Sequence, residues 1–145
     1  MMIRRLEAKD LDQTVALESA CFSVPWKRKD FEDALKNDST YLFYGAFEGE
    51  KLVGQAGLVM TPPDADITNV AVDPGYRRRG IAVKLLSELM DAGRELGIED
   101  YTLEVRVGNE PAIALYEGLG FSEEGRRKNF YSNPVEDAMI MWKRR

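Results

Sequence analysis

Histidine is absent from this chain of 145 residues. Its absence removes the commonest general base, the Ser-His-Asp triad and most zinc sites. There is a single cysteine, Cys21, so no internal disulfide is possible. Nothing marks Cys21 as a nucleophile, and a small buried hydrophobic role is the better expectation. Any proton transfer must therefore involve a carboxylate, a tyrosine, a lysine, the cysteine or water.

Long apolar runs and an excess of positive charge are also missing. No stretch of about 18 uncharged apolar residues exists to span a bilayer, and residues 1–7 lack the apolar core of a signal peptide. The sequence therefore predicts a soluble cytoplasmic protein. Lysine and arginine number 20 against 25 acidic residues, for a net charge of -5. This balance argues against general nucleic-acid affinity and favours a cationic partner such as a protonated amine.

The length and the 44% hydrophobic content predict one domain, residues 1–145, with a substantial core. No linker, repeat or low-complexity segment divides the chain. Periodicity predicts the order β–α–α–β–β–β–α–β–α–β–β, a mixed sheet with helices packed on it. The predicted strands are 3–6, 41–47, 51–60, 67–72, 101–107, 121–130 and 138–142. Four helices are predicted. The first begins after Asp10 and the last after Asn109, each residue serving as N-cap, and the other two cover 28–37 and 80–96.

Short turns join the strands at 41–47, 51–60 and 67–72, which predicts an antiparallel meander. The helix at 80–96 then leads to the strand at 101–107. A helical connection of this kind predicts that strands 67–72 and 101–107 run parallel, through a right-handed crossover.

A basic, glycine-containing loop precedes the helix at 80–96 and is the main binding signal. It contains Arg77, Arg78, Arg79 and Gly80 after a Pro-Gly turn. Helix N-termini present unpaired amides and a dipole that favours anions, so the loop predicts a phosphate or pyrophosphate site. Two alternatives remain open for the arginines: a solvated surface run or a weak nucleic-acid patch.

Three downstream residues are candidates for chemistry, each with an ordinary alternative. Glu104 interrupts an apolar strand, where a carboxylate is costly unless paired or used. It can instead be a solvated position or pair with Arg106, two residues along the same face. Tyr116 can belong to the core, and Asn109 can be explained as a helix cap.

The basic loop resembles a known motif. Arg77, Arg78, Arg79, Gly80, Ile81 and Ala82 follow the Arg/Gln-x-x-Gly-x-Gly/Ala pattern of the GCN5-related N-acetyltransferases (GNAT). Segments 102–106, 114–117, 119–121 and 136–138, together with Asn109, are similar to the ribosomal-protein alanine N-acetyltransferases (RimI type) within that family. The resemblance covers nearly the whole chain. It implies an α+β fold with a mixed, mostly antiparallel sheet of about seven strands and about four helices on both faces.

The resemblance also implies a role for each matching position. Acetyl-CoA is the implied cosubstrate, and no metal is implied. Glu104 matches the general base and Tyr116 the general acid, and acetyl transfer is direct, within a ternary complex. The implied acetyl-CoA contacts are Val70, Ala71, Val72, Arg77, Arg78, Arg79, Gly80, Ile81, Ala82, Val83 and Asn109; the implied acceptor contacts are Phe22, Pro25, Trp26 and Tyr131.

Two positions depart from the family pattern. Ala82 replaces a frequent glycine and keeps its amide, whereas Gly108 replaces a frequent serine and is expected to loosen the following helix start. The implied acceptor is the N-terminal alanine of a ribosomal protein, without direct contact to nucleic acid or membrane. The alternatives are an acetyltransferase for another peptide or small-molecule amine, and a non-catalytic acyl-CoA-binding module.

Overall fold

A seven-stranded sheet with two helices on each face forms the protein in the computed structural model, which describes residues 1–145. The strand order is β1-β2-β3-β4-β5-β7-β6, and every neighbouring pair is antiparallel except β4 and β5. The elements are β1 (Met2–Arg5), α1 (Leu11–Cys21), α2 (Arg28–Lys36), β2 (Tyr41–Glu48), β3 (Lys51–Thr61), β4 (Asp64–Val72), α3 (Ile81–Glu95), β5 (Asp100–Arg106), α4 (Glu110–Gly118), β6 (Ser122–Tyr131) and β7 (Glu136–Lys143). The predicted fold class, meander and parallel pair are confirmed.

Each face of the sheet has its own apolar core. Helix α3 buries an apolar stripe against one face, and helical spacing in the sequence predicts the same residues: Ile81, Leu85, Leu86, Leu89 and Met90. The larger core on this face also includes Tyr116 from α4. On the other face, α1 and α2 pack against β2, β3 and β4. Strand β6, at the far edge, remains mostly exposed.

The first helix differs from its prediction in two respects. Asp10 precedes α1, but its carboxylate does not cap that helix. The carboxylate instead pairs with Arg4 at 2.8 Å and accepts a hydrogen bond from the Glu7 amide at 2.8 Å. The buried residues of α1 are Thr14, Leu17 and Glu18, whereas Ala20, which helical spacing from Leu17 predicts to be buried, is exposed. Two of the three buried residues of this helix are therefore polar. No helix of the structure is long and apolar enough to cross a membrane.

Candidate active site

The parallel strands β4 and β5 separate partway along their length. They pair only where Asp64–Asp66 meets Asp100–Thr102. Beyond that point β4 stays paired with β3 as far as Val72, and β5 stays paired with β7 as far as Arg106. The facing edges of 67–72 and 103–106 thus form a fork, in which backbone groups are left without a strand partner.

A bulge in β4 shapes one arm of this fork. Between the pairs Gln55–Ala71 and Gly57–Thr68, β4 contains one residue more than β3. Asn69, within the bulge, has a left-handed backbone with φ of 55°. Bulges of this kind re-aim the following residues, here Val70 and Ala71. The sequence prediction of a regular strand over 67–72 missed this feature.

The N-terminus of α3 lies after β4 and has unpaired amides. Gly80 is its N-cap, in a left-handed conformation with φ of 76°. The first amide that bonds back into the helix is that of Lys84, to the Gly80 carbonyl at 3.2 Å. The backbone amides of residues 77–83 bond to no acceptor within the chain. Seven donors at a positive helix terminus form a cradle that suits a pyrophosphate.

The three arginines of the loop occupy different positions. Arg77 donates from Nε to the Val72 carbonyl at 3.1 Å, so it lies against the end of β4. Arg79 lies over the ring of Tyr76 and donates to the Gly75 carbonyl at 3.3 Å. Arg78, with φ of 64°, has no partner in the chain. Its charge is therefore free for an anion, whereas the other two guanidinium groups also stabilise the loop.

Glu104 lies on the second arm of the fork. Its neighbours Leu103 and Val105 are buried in the α3–α4 core, so its side chain faces the opposite side of the sheet. Partial burial raises the pKa of Glu104, the negative charge of Asp66 raises it further, and Arg127 opposes both effects. The alternative pairing with Arg106 does not occur, because Arg106 pairs with Glu136 at 3.2 Å.

Two tyrosines are electrostatically linked to this carboxylate, Tyr131 directly and Tyr116 only through Tyr131. Burial raises the pKa of Tyr131 to about 12, and the charge of Glu104 contributes. Burial likewise raises the pKa of Tyr116 to about 12, with a contribution from Tyr131. The Tyr116 ring packs against Phe121, and burial surrounds its hydroxyl. At neutral pH this hydroxyl holds a proton that it can donate.

Comparison with known proteins identifies the family of this chain. Residues 11–121 match the model of the acetyltransferase (GNAT) family. The chain belongs to the GNAT family. It is an acetyl-CoA-dependent N-acetyltransferase. Its relatives include the putative ribosomal protein bS18-alanine N-acetyltransferase of Bacillus subtilis, 34% identical over 97% of this chain and 93% of that protein.

Two further comparisons concern Escherichia coli. The ribosomal protein bS18-alanine N-acetyltransferase of strain K12 is 37% identical, over 96% of this chain and 94% of that protein. The crystal structure of the ribosomal-protein-S18-alanine N-acetyltransferase from Escherichia coli superposes with a TM-score of 0.90, at 35% identity, and covers 99% of this chain and 92% of that one.

The acceptor-site candidates of this acetyltransferase come from two segments that meet. The acceptor loop, residues 22–27, joins α1 to α2, and Ser23 Oγ donates to the carbonyl of Asn133 in the β6–β7 turn at 3.1 Å. Phe22 is 37% exposed, whereas Pro25 is only partly exposed. The Trp26 ring packs among Phe31, Tyr41 and Phe43, so core packing accounts for that ring.

Arg106 holds the other segment, the β6–β7 turn, a role that sequence reasoning missed. It donates to the carbonyls of Pro134 at 2.8 Å and Ser132 at 3.0 Å, and its guanidinium lies 4.5 Å from the centre of the Tyr131 ring. One side chain of β5 therefore fixes both the turn and the tyrosine beside the fork.

The start of α4 accommodates both readings of Asn109. Its Oδ1 caps the helix by accepting from the Ala112 amide at 3.3 Å, while its Nδ2 has no partner.

The absence of a side chain at Gly108 is explained by its contact with Glu136. Its amide donates to Glu136 Oε2 at 2.8 Å, and a Cβ at this position would lie 2.6 Å from that oxygen. The absence of a side chain thus permits the carboxylate to bind the amide.

Cys21 lies closer to the site than expected. It is half-buried rather than in the core, and its thiol donates to the Val72 carbonyl at 3.5 Å. Burial raises the pKa of the Cys21 thiol. A thiol held in this protonated form is a poor nucleophile, which agrees with direct transfer.

Gly80→Val tests the cradle. At a φ of 76° a β-branched residue is strained by about 1–2 kcal/mol, so the loop is expected to leave this conformation. We expect the acetyl-CoA Kd, measured by calorimetry, to rise about tenfold or more. Gly97→Val is the matched control, because Gly97 has φ of 94° at the other end of α3 and both sites are open to a Cβ. An unchanged Kd in Gly80→Val, or an equal rise in the control, would contradict the cradle.

Proposed function

We propose that this acetyltransferase acetylates the α-amino group of a protein N-terminus, and that the acceptor is the N-terminal alanine of a small-subunit ribosomal protein. The observation that carries the proposal is similarity over nearly the whole chain, at 34% and 37% identity, to relatives named for that acceptor. The chain then works as one catalytic domain, residues 1–145, in the cytoplasm, where ribosomal proteins are made.

The cradle fits coenzyme A, since seven amides and the free charge of Arg78 suit a pyrophosphate. We assign its binding to residues 77–83, with the Nδ2 group of Asn109 as a further donor. Backbone groups of Val70, Ala71 and Val72 face the acyl chain along the fork, and their amides polarise the acetyl carbonyl. Bound acetyl-CoA supplies an activated acetyl thioester.

Glu104 acts on the acceptor amine. An α-amino group has a pKa of about 7.7–8.0, so at neutral pH most of it is protonated and cannot attack. Glu104 accepts this proton, directly or through water, which leaves nitrogen with a free electron pair. Its raised pKa brings the carboxylate closer to the pKa of the amine, which favours the transfer.

Tyr116 and the acceptor segments complete the site. The Tyr116 hydroxyl donates a proton to the departing sulfur, so that coenzyme A leaves as a thiol. Phe22, Pro25 and Tyr131 border the place where the first residues of the acceptor lie, and Trp26 supports the loop from the aromatic cluster. Asp66 adds a second negative charge near Glu104, which suits a cationic amine.

A peptide panel tests the acceptor. Peptides that share one sequence and begin with alanine, serine, glycine or leucine are incubated with acetyl-CoA and measured by intact mass. We expect the alanine peptide to gain one acetyl group fastest. A peptide with a blocked N-terminus and an internal lysine is the control and should remain unmodified.

The other outcomes of the panel separate the alternative functions. Acetylation of the lysine peptide or of a small amine, with the N-terminal peptides unmodified, assigns a different amine acceptor. Binding of acetyl-CoA without coenzyme A release in the presence of any acceptor assigns a non-catalytic module.

A further inference from the structure

Glu18 of α1 is a buried carboxylate that the proposed mechanism does not use. Glu18 is only 2% exposed, and the groups that act on its carboxylate are all neutral. Its partners are neutral donors: Asn69 Nδ2 at 2.9 Å and the Trp26 amide at 3.1 Å, both to Oε2, and Gln55 Nε2 at 3.5 Å to Oε1. Three donors around one group are the arrangement that suits an acceptor-only carboxylate.

The partners of Glu18 belong to the two halves of the site. Asn69 is the left-handed residue of the β4 bulge, and its Oδ1 accepts from Thr68 Oγ1 at 2.7 Å. Trp26 lies in the acceptor loop, with its ring fixed by the aromatic cluster. A single carboxylate oxygen thus joins the strand assigned to the acyl chain with the loop assigned to the acceptor.

Stability alone is a poor explanation for this arrangement. A carboxylate that is removed from water without a cation costs free energy, and apolar residues of similar volume usually serve a core better. The surroundings are also incompletely paired, since Thr14 Oγ1 and Gln55 Oε1 are buried without partners. The polar cluster of Glu18, Asn69 and Gln55 is therefore better explained by the segments that it holds in place.

We propose that Glu18 is a positioning residue, which holds the β4 bulge and the acceptor loop in one fixed relation so that the acetyl carbonyl and the amine meet. The proposal rests on the acceptor site proposed above. It further implies that acetyl-CoA, by ordering the bulge, orders the acceptor loop through this carboxylate.

Asn69→Gly is the sharpest test, because glycine keeps the left-handed backbone and removes the side chain, whose amide bonds to Glu18 and whose Oδ1 accepts from Thr68. We expect kcat/KM for the acceptor peptide to fall about tenfold while the acetyl-CoA Kd changes less than about twofold. Asn129→Gly is the matched control, since Asn129 has φ of 53° and its side chain is not part of the cluster. It should match the wild type.

Glu18→Gln provides a second variant that preserves shape. The glutamine Oε1 can still accept from Trp26 and Asn69, now as a neutral acceptor, while its amide nitrogen replaces the oxygen that accepts from Gln55 Nε2. We expect a smaller loss than in Asn69→Gly. Combined with Asn69→Gly, it should lower kcat/KM by less than the product of the single effects, because both changes affect one hydrogen bond.

Hydrogen exchange separates this proposal from the identity of the acceptor. Acetyl-CoA should protect the amides of residues 22–27 in the wild type but not in Asn69→Gly. Absence of protection in the wild type, or equal protection in both, overturns the proposal. The proposal is also overturned if a lower melting temperature or weaker acetyl-CoA binding fully accounts for the loss of activity in Asn69→Gly. Failure of the wild type to modify any N-terminal peptide would instead overturn the proposed function.

Discussion

Glu104→Gln is expected to lower kcat by about a hundredfold to ten-thousandfold at neutral pH, the usual contribution of a general base. Glutamine keeps the size and the hydrogen-bonding reach of the side chain but cannot take a proton from the amine. Because the cradle at residues 77–83 lies on another element, the acetyl-CoA Kd should stay nearly unchanged. Steady-state kinetics and calorimetry measure the two quantities separately.

The pH–rate profile gives an independent reading of the same residue. A base works only when deprotonated, so activity rises as the pH rises through its pKa. Since burial and Asp66 raise the pKa of Glu104, this limb lies at higher pH than for an exposed glutamate. Glu104→Gln should abolish this rise of activity with pH. Asp66→Asn should shift the rise to lower pH, because it lowers the pKa of Glu104, and should keep most of the maximal activity.

The exposed Glu88 of α3 offers the matched control for this charge change. Glu88→Gln should leave both kcat and the pH profile as in the wild type. If Glu104→Gln keeps the acidic limb, or if its turnover falls no further than in the control, Glu104 is not the base.

Tyr116→Phe is expected to lower kcat about a hundredfold or more, because coenzyme A must then leave as a thiolate. The ring stays packed against Phe121 when the hydroxyl is removed. The melting temperature and the acetyl-CoA Kd should therefore remain close to those of the wild type.

Tyr101→Phe is the complementary variant. Tyr101 is also buried, with a pKa raised to about 12, but its hydroxyl donates to the Met90 carbonyl at 2.5 Å. Its loss is expected to cost about 1 kcal/mol of stability while kcat stays unchanged. If Tyr116→Phe showed that same pattern, a loss of stability with full turnover, its hydroxyl would be structural and not the acid.

The sequence by itself determined the element order, the parallel pair and the cradle. These depend on local signals: the stripe of α3 at helical spacing, the glycine that permits a left-handed N-cap at Gly80, and short turns that force an antiparallel meander. Such signals lie within a few residues of one another, so periodicity and turn chemistry suffice to identify them. The catalytic candidates Glu104 and Tyr116 came from the family resemblance, because each had an ordinary alternative when considered alone.

Only the tertiary structure decided which side chains meet. The partner of Arg106 is Glu136, thirty positions further along the chain, and not Glu104 two residues away. Glu18 and Asn69 are separated by 51 positions and become neighbours through a bulge that breaks the period of β4. Pairings of this kind depend on register and on the packing of α1 against the sheet, and these long-range contacts leave no periodic signal in a single sequence.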